Sequence, residues 1–478
     1  MPKFIGRKNE IKRLVDLLQL DIAVFIVLKG RRRIGKSRLL EEYSNNFAKI
    51  FVFSGLPPEK NTTNETQLKE FLKQLTRQLP SKNFTMGDWG DLFWQLSKYT
   101  KEGKVLIVLD EINWMGSKDP NFLGKLKNAW DLYFKKNDQL ALAVSGSAAS
   151  WIEKNLLNST GFVGRVSLDM TLEEMPLKDC LEFWKNKHYV SVFNALKLLS
   201  ITGGVPRYLE LIRADLSAEI NIKNLCFTKD GVLFSEFDEI FHDLFSKRRG
   251  LYKRIVTILA DGALEPKEIC QKLGIKAGGD ISEYLNDLVC AGFITRDYTW
   301  NIKSGKLAKF SQFRLKDNYS RFYLKYILPR KPKIEKEDYI DISLADLPGW
   351  NAIMGLQFEN LVLSNRNLIK KVLQINLSDV IYDNPFFQHK TTKQAGCQID
   401  YLIQTRLNTL FVCEIKFSKK TIGLGVVDEV KEKINRLKVP KGFSCFPILI
   451  HANDVSDALE DSGYFTKIID FTKLIESE

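Results

Sequence analysis

The residues best suited to chemistry are Gly30, Gly35, Lys36 and Ser37, in the run Gly30-Arg31-Arg32-Arg33-Ile34-Gly35-Lys36-Ser37. Glycines framing such a loop let consecutive backbone N–H groups curl around a polyanion. The lysine reaches the outer phosphates, and the hydroxyl beside it can hold Mg²⁺. The flanks must position them. The apolar, β-branched run Ile22–Leu28 predicts a buried strand entering the loop. Arg38–Tyr43 predicts a helix leaving it, whose N-terminus adds partial positive charge. A chance glycine-rich loop would need neither flank. The arrangement therefore predicts a nucleoside-triphosphate site lined by Gly30, Arg31, Arg32, Arg33, Ile34, Gly35, Lys36, Ser37 and Arg38.

A second apolar run, Lys104–Leu109, closes on Asp110 and Glu111. Paired with the phosphate loop, Asp110 is expected to hold Mg²⁺ together with Ser37. Glu111 is expected to orient and deprotonate the attacking water. The strand-like run Gln139–Val144 ends in Ser145-Gly146-Ser147, so Ser145 or Ser147 can contact the γ-phosphate or the water; a turn capped by serine is the plain alternative. Gly164-Arg165 precedes another strand, where the arginine reads either as a finger serving a neighbouring subunit or as a solvated turn residue. Thr202-Gly203-Gly204-Val205-Pro206 sets a rigid helix start that projects Arg207, read as a nucleotide-sensing lid arginine or as part of a well-capped helix.

GRRRIGKS, VLIVLDEI, VSGSAAS, GFVGR and TGGVPRYL occur in that order. Together they resemble the archaeal-type AAA-family ATPases of prokaryotes, allied to the signal-transduction NTPases. The opening Phe4-Ile5-Gly6-Arg7-Lys8-Asn9-Glu10 is similar to the entry that packs near adenine in AAA-related ATPases. The resemblance covers about residues 1–245. It implies a parallel sheet, with the strand ending at Ser145 between the two strands that carry Lys36 and Asp110, and a helical lid.

Beyond that region lies a second constellation. Residues 250–316 read as three helices and a hairpin, the order of a winged helix; Asp280, Glu283 and Asp287 make its third helix acidic, which disfavours major-groove reading. Farther on, Asp400 ends the first half of one strand and Glu414 lies on the next, with Lys416 on the same face as Glu414. A hairpin would set Asp400 beside Glu414, two carboxylates for a divalent metal, with Lys416 to stabilise the transition state. The pattern resembles the PD-(D/E)xK nuclease superfamily over about residues 350–470, with Glu359 on a preceding helix where that family often has another acid. Ile399 replaces the usual proline. A salt bridge among Asp400, Glu414 and Lys416 at a strand end is the other reading.

These elements predict an α/β multidomain chain: a P-loop parallel-sheet ATPase core (1–170), a helical lid (171–246), a winged helix (247–327), a charged linker (328–345) and an α/β nuclease-like domain (346–478). The 478 residues exceed one ordinary core. A net charge of +13 favours a polyanionic partner, such as nucleic acid, or an acidic protein or membrane surface; nucleic acid, with DNA favoured, is the partner expected. Seven scattered cysteines without a C-x-x-C pair suit a reducing cytoplasm, and give a zinc site little support. His188, His242, His389 and His451 are scattered and read as loop or core residues. No apolar run is long enough to span a membrane. Two functions follow: a Mg²⁺-dependent ATPase, able to assemble as a homo-oligomer, driving a switch on nucleic acid and coupled to a metal-dependent DNA nuclease; or a nucleotide-gated signalling or scaffold ATPase with a catalytically inactive C-terminal domain.

Overall fold

Alternation within β1 (Val24–Lys29) builds two cores at once. Phe25 and Val27 face one hydrophobic cluster, while Val24, Ile26 and Leu28 face another. Such two-sided burial is what a central parallel strand requires. The computed structural model describes residues 3–59, 61–184, 191–244, 249–276, 278–339, 342–392, 394–418 and 420–476. His188 lies outside them.

β2 (Lys49–Ser54), β3 (Val105–Asp110), β4 (Leu140–Gly146) and β5 (Leu168–Thr171) complete a parallel sheet in the order β2-β3-β4-β1-β5. β4 pairs with both β1 and β3, as the resemblance implies. Parallel pairing brings the carboxyl ends of β1, β3 and β4 to one edge, where ligands bind in open α/β sheets. Trp89, Phe93 and Phe122 fill one face and are fully buried; each such side chain contributes about 1.5–3 kcal/mol.

The chain divides into two compact units. The first is Met1–Met175 with Val205–Arg207 and Asn286–Gly292. The second is Pro176–Gly204, Tyr208–Leu285 and Phe293–Glu478. Much of the expected lid, most of the winged-helix segment, the linker and the nuclease-like region fall in this second unit.

Its sheet has the order β12-β11-β10-β9-β8. β8 (Val380–Gln388), β9 (Cys397–Thr405) and β10 (Thr409–Lys416) are antiparallel neighbours. β11 (Ser444–His451) and β12 (Lys467–Asp470) continue it in parallel. The helix Gly425–Arg436 is the crossover between β10 and β11 that parallel pairing demands.

Three helices (Arg249–Ile258, Pro266–Leu273, Gly279–Cys290) precede an antiparallel ribbon of β6 (Ile294–Asn301) and β7 (Lys306–Leu315), in the expected order. The ribbon is not a free wing. Trp300 and Ile302 are buried with Phe386, Ile399 and Leu402 of the second sheet. Trp300 Nε1 donates to Gln404 Oε1 and Thr299 Oγ1 to the Phe387 carbonyl. Large apolar side chains at the end of β6 and just beyond it decide this, because they are more stable buried than in a solvated wing.

The stretch expected to be a charged linker begins in helical turns, Leu328–Arg330 and Lys331–Ile334. Ile334 is fully buried and Lys331 Nζ lies 2.8 Å from Asp238 Oδ2. Aromatic packing ties the segment expected as a lid to the same unit: Phe193 stacks on Phe417, and Phe227 on Tyr339.

Candidate functional site

The phosphate loop is shaped by close approach. Gly30 has φ +153°, and a Cβ there would lie 2.6 Å from the Leu172 carbonyl oxygen. Gly35 (φ +94°) and Arg33 (φ +71°) occupy the left-handed region, the latter a costly conformation for a side-chain-bearing residue. The helix Lys36–Ser44 starts directly after Gly35. Its orphan N–H groups and positive dipole end face the loop.

Lys36 is buried inside the loop, where Nζ donates to the carbonyls of Gly30 (2.9 Å) and Arg31 (3.2 Å). Burial lowers its pKa, with the Glu111 and Asp110 carboxylates working in the opposite direction. The exposed Ser37 donates from Oγ to Asp110 Oδ2 at 2.8 Å. Ser145 Oγ donates to Asp110 Oδ1, and the Glu111 N–H reaches the same oxygen at 3.1 Å. Ser37 and Asp110 are hard oxygen donors, partly open to solvent, and this donor set suits Mg²⁺ completed by water and phosphate oxygens.

Glu111 follows β3 in a left-handed conformation, φ +50°. Its Oε2 accepts from Ser147 N–H at 3.0 Å and Ser147 Oγ at 2.9 Å. The Asn113 amide, oriented by its surroundings, brings its nitrogen to 3.3 Å from the same oxygen. The two serines left open by the sequence thus divide their work: Ser145 holds Asp110 and Ser147 holds Glu111. Asn113 was not legible beforehand, because nothing in its spacing separates it from an ordinary helix residue.

The arginines have diverse surroundings. The Arg31 side chain is buried and lies 3.4 Å from Glu174. Arg38 pairs with Glu41 one helical turn on. Arg32 contributes positive charge near Lys36. A Cβ placed on Gly35 would meet Pro206 Cγ at 3.8 Å, and Arg207 follows Pro206, exposed, in the first turn of the helix Pro206–Glu210. Arg7 is the residue the sequence undervalued: it donates to the Ile34 carbonyl (3.2 Å) and the Glu173 carbonyl (2.6 Å), and pairs with Glu10 at 2.8 Å. It clamps the loop from outside.

Arg165 is not with these residues. Ser167 N–H donates to the Phe25 carbonyl, so Arg165 lies at the amino-terminal edge of the sheet, whereas the loop leaves the carboxyl edge. At about 3.3 Å per residue the separation is on the order of 20 Å. Its guanidinium grips Asp131 through Nε (3.0 Å) and Nη2 (2.8 Å), and this fork holds the Asp131 carboxyl far below its usual range. The contribution expected of Arg165 to a nucleotide is therefore not made within its own chain.

In the second unit, antiparallel register pairs Tyr401 with Cys413 and so sets Asp400 beside Glu414, as expected. Asp400 Oδ2 accepts from the Ile415 N–H at 3.0 Å. Lys416 Nζ lies 3.1 Å from Glu414 Oε1 and 2.6 Å from Glu429 Oε2. Glu359, on the helix Trp350–Ser364, has its carboxyl raised to about 7 by burial, the Asp400 charge adding to this and the Arg314 and Arg321 guanidiniums opposing it.

The unanticipated residue is Lys433. Its Nζ lies 2.5 Å from Glu414 Oε2 and 3.4 Å from Asp400 Oδ1. Burial works against this ammonium, but the two carboxylates outweigh it and raise its pKa. Among the described residues no group of three or more His, Cys, Asp or Glu is arranged to hold a metal. The donor set expected for a divalent cation, Glu359, Asp400 and Glu414, therefore does not fit one as the chain stands, because a lysine lies between the latter two. Glu414, Lys416 and Lys433 border a cleft of about 600 Å³ that also includes Glu265, Gln312 and His389. His389 faces Glu265 at 2.9 Å and packs at a tilt against the Phe310 ring, so it belongs to the packing of this cleft.

Residues 4–212 match the model of an ATPase domain predominantly from Archaea. The chain is 27% identical over 361 residues to the uncharacterized protein MJECL04 of Methanocaldococcus jannaschii, covering 74% of this chain and 75% of that one. Among solved structures it is similar to the Walker-type ATPase PABY2304 of Pyrococcus abyssi, at 15% identity and TM-score 0.49, over 67% of this chain and 96% of the other. It is also similar to the ORC2 protein of Aeropyrum pernix, at 14% identity and TM-score 0.44, over 70% and 96%. Residues 4–212 are thus similar to ATPase domains found predominantly in Archaea.

Proposed function

We propose that this ATPase uses Mg²⁺-dependent hydrolysis of ATP to drive a conformational switch on nucleic acid. The observation that carries it is the pair of carboxylates at the end of β3, each fixed by its own serine beside the phosphate loop. Loop N–H groups and Lys36 bind the β- and γ-phosphates; to do so the Lys36 ammonium exchanges its carbonyl partners for phosphate oxygens. Ser37 and Asp110 hold Mg²⁺, which supplies charge neutralisation at the phosphates. Glu111 accepts a proton from water as its oxygen bonds to the γ-phosphorus and the bond to the β,γ-bridging oxygen breaks, leaving ADP and phosphate. Ser147 and Asn113 position Glu111 for that transfer.

The route outward runs through Pro206 and Arg207. Val205–Arg207 is a short stretch of the first unit with second-unit chain on either side. A change at Gly35 is thereby passed along the chain itself. The net charge of +13 supports a nucleic-acid backbone, DNA first, as what the switch acts on. The scaffold reading, in which the C-terminal domain binds without cutting, is favoured by Lys433. Fluorescence anisotropy of labelled duplex DNA against salt, with and without ATP, tests the proposal. Binding that weakens steeply with salt and shifts with nucleotide supports it; no binding at low salt overturns the nucleic-acid part.

A further inference from the structure

We infer that Lys433 is a built-in cation standing where a nuclease-type centre would hold a divalent metal, so that the Asp400–Glu414 pair is closed to metal in the native protein. The inference does not depend on the ATPase cycle.

It begins with the crossover helix Gly425–Arg436. Val426, Val427 and Val430 are buried against the sheet and fix the helix in rotation. The helix is also tied down at its end: the Lys433 carbonyl accepts from Cys397 Sγ at 3.2 Å on β9, and Leu437 is buried in the adjoining core. Residues three and four apart share a helix face, so Glu429, Lys433 and Arg436 lie along one side. That side borders the cleft containing Glu414 and Lys416.

Every oxygen of the carboxylate pair is then engaged. Asp400 Oδ2 accepts from the Ile415 N–H, and Asp400 Oδ1 and Glu414 Oε2 face Lys433 Nζ. Glu414 Oε1 faces Lys416. A divalent ion needs several oxygens at about 2.0–2.6 Å on a shared centre. An ammonium bridging both carboxylates takes that centre and also repels a second cation. Displacing it would leave a lysine, itself largely enclosed, without its two counter-charges, which is costly in a partly buried setting. Lys416 cannot move in as a substitute, because Glu429 holds it from the other side at 2.6 Å. The surroundings thus select one internal cation over an exchangeable one.

Removing the ammonium while keeping the length of the side chain should open the site. Mn²⁺ is the probe, titrated into the nucleotide-free full chain and followed by the loss of its free electron-paramagnetic-resonance signal. The wild-type protein and Asp400→Asn should bind the same amount of Mn²⁺, since neither offers the second site. Lys433→Met should gain about one equivalent, from two carboxylates freed for a hard cation, and Lys433→Met/Asp400→Asn should lose it again. An Mn²⁺ equivalent in the wild type that disappears in Asp400→Asn overturns the inference; this comparison needs no lysine variant to fold. A Lys433→Met protein with wild-type circular dichroism and no added equivalent overturns it as well.

Discussion

Ser147 donates both its N–H and its hydroxyl to a single carboxylate oxygen of Glu111, at 3.0 and 2.9 Å. The contact joins the ends of two neighbouring parallel strands, β3 and β4. It restrains the proposed base, which emerges in a left-handed backbone conformation. Glu111→Gln should retain ATP binding and lose turnover by about 10²–10⁴-fold, the usual contribution of a positioned general base. Ser147→Ala should leave ATP affinity near wild type and lower kcat by about 10–100-fold, since hydrogen bonds to charged groups contribute about 1.5–3 kcal/mol. Phosphate release and equilibrium nucleotide binding measure the two effects separately. Equal losses of binding and turnover in Ser147→Ala would show that it shapes the loop instead.

Gly30→Ala should abolish nucleotide binding. Its Cβ would meet the Leu172 carbonyl at 2.6 Å, and backbone cannot swing aside as a flexible side chain does. The loop must then shift, at a cost of about 1–3 kcal/mol in stability. Thermal unfolding with and without ATP reads both: a lowered Tm in the absence of nucleotide and no rise on its addition.

Arg165→Ala should leave ATPase activity of the isolated chain unchanged, while freeing the Asp131 carboxylate from its fork. The expected mark is a lower Tm at neutral pH, smaller at high salt because the pair is partly solvated. A large loss of kcat that depends on protein concentration would instead restore Arg165 to a site shared between subunits.

Stability of the second unit should depend on Glu359. Its carboxyl has a folded pKa of about 7, above the unperturbed value of 4.5, so the folded chain keeps a proton that the unfolded chain releases in between. The stabilisation is complete below about 4.5 and is lost as pH rises through about 7. Unfolding free energy should fall across this window by about 1–3 kcal/mol through this group. Glu359→Gln, neutral throughout, should flatten the slope; denaturant titrations at pH 5 and pH 8 measure it. An unchanged slope in the variant would assign the pH dependence to other groups.

The nucleotide site was largely legible because its chemistry is local. Gly30, Gly35, Lys36 and Ser37 lie within eight residues, and the geometry they need follows from backbone rules at those positions. Asp110 and Glu111 could be read for the same reason, as the end of an apolar strand. Asp400 beside Glu414 was also within reach, since a short turn between two strands sets their register.

The remainder depended on contacts that spacing does not encode. Arg165 follows a glycine in a motif-like setting, yet parallel pairing of β5 with β1 carries it to the far edge of the sheet. Trp300 and Ile302 alternate as a wing strand would, but their bulk buries them on a second sheet far along the chain. Arg7 reads as the start of a helix, and only folding brings it to the Ile34 carbonyl. Lys433 is the sharpest case. In sequence it is one lysine among Lys431, Lys433, Lys438 and Lys441, as a solvated face would carry. The sequence by itself determined a phosphate loop, its acidic partner strand and a pair of carboxylates on a hairpin. The tertiary structure alone decided that those carboxylates are already neutralised, because the rotation of a crossover helix packed by Val426, Val427 and Val430 selects which lysine meets them.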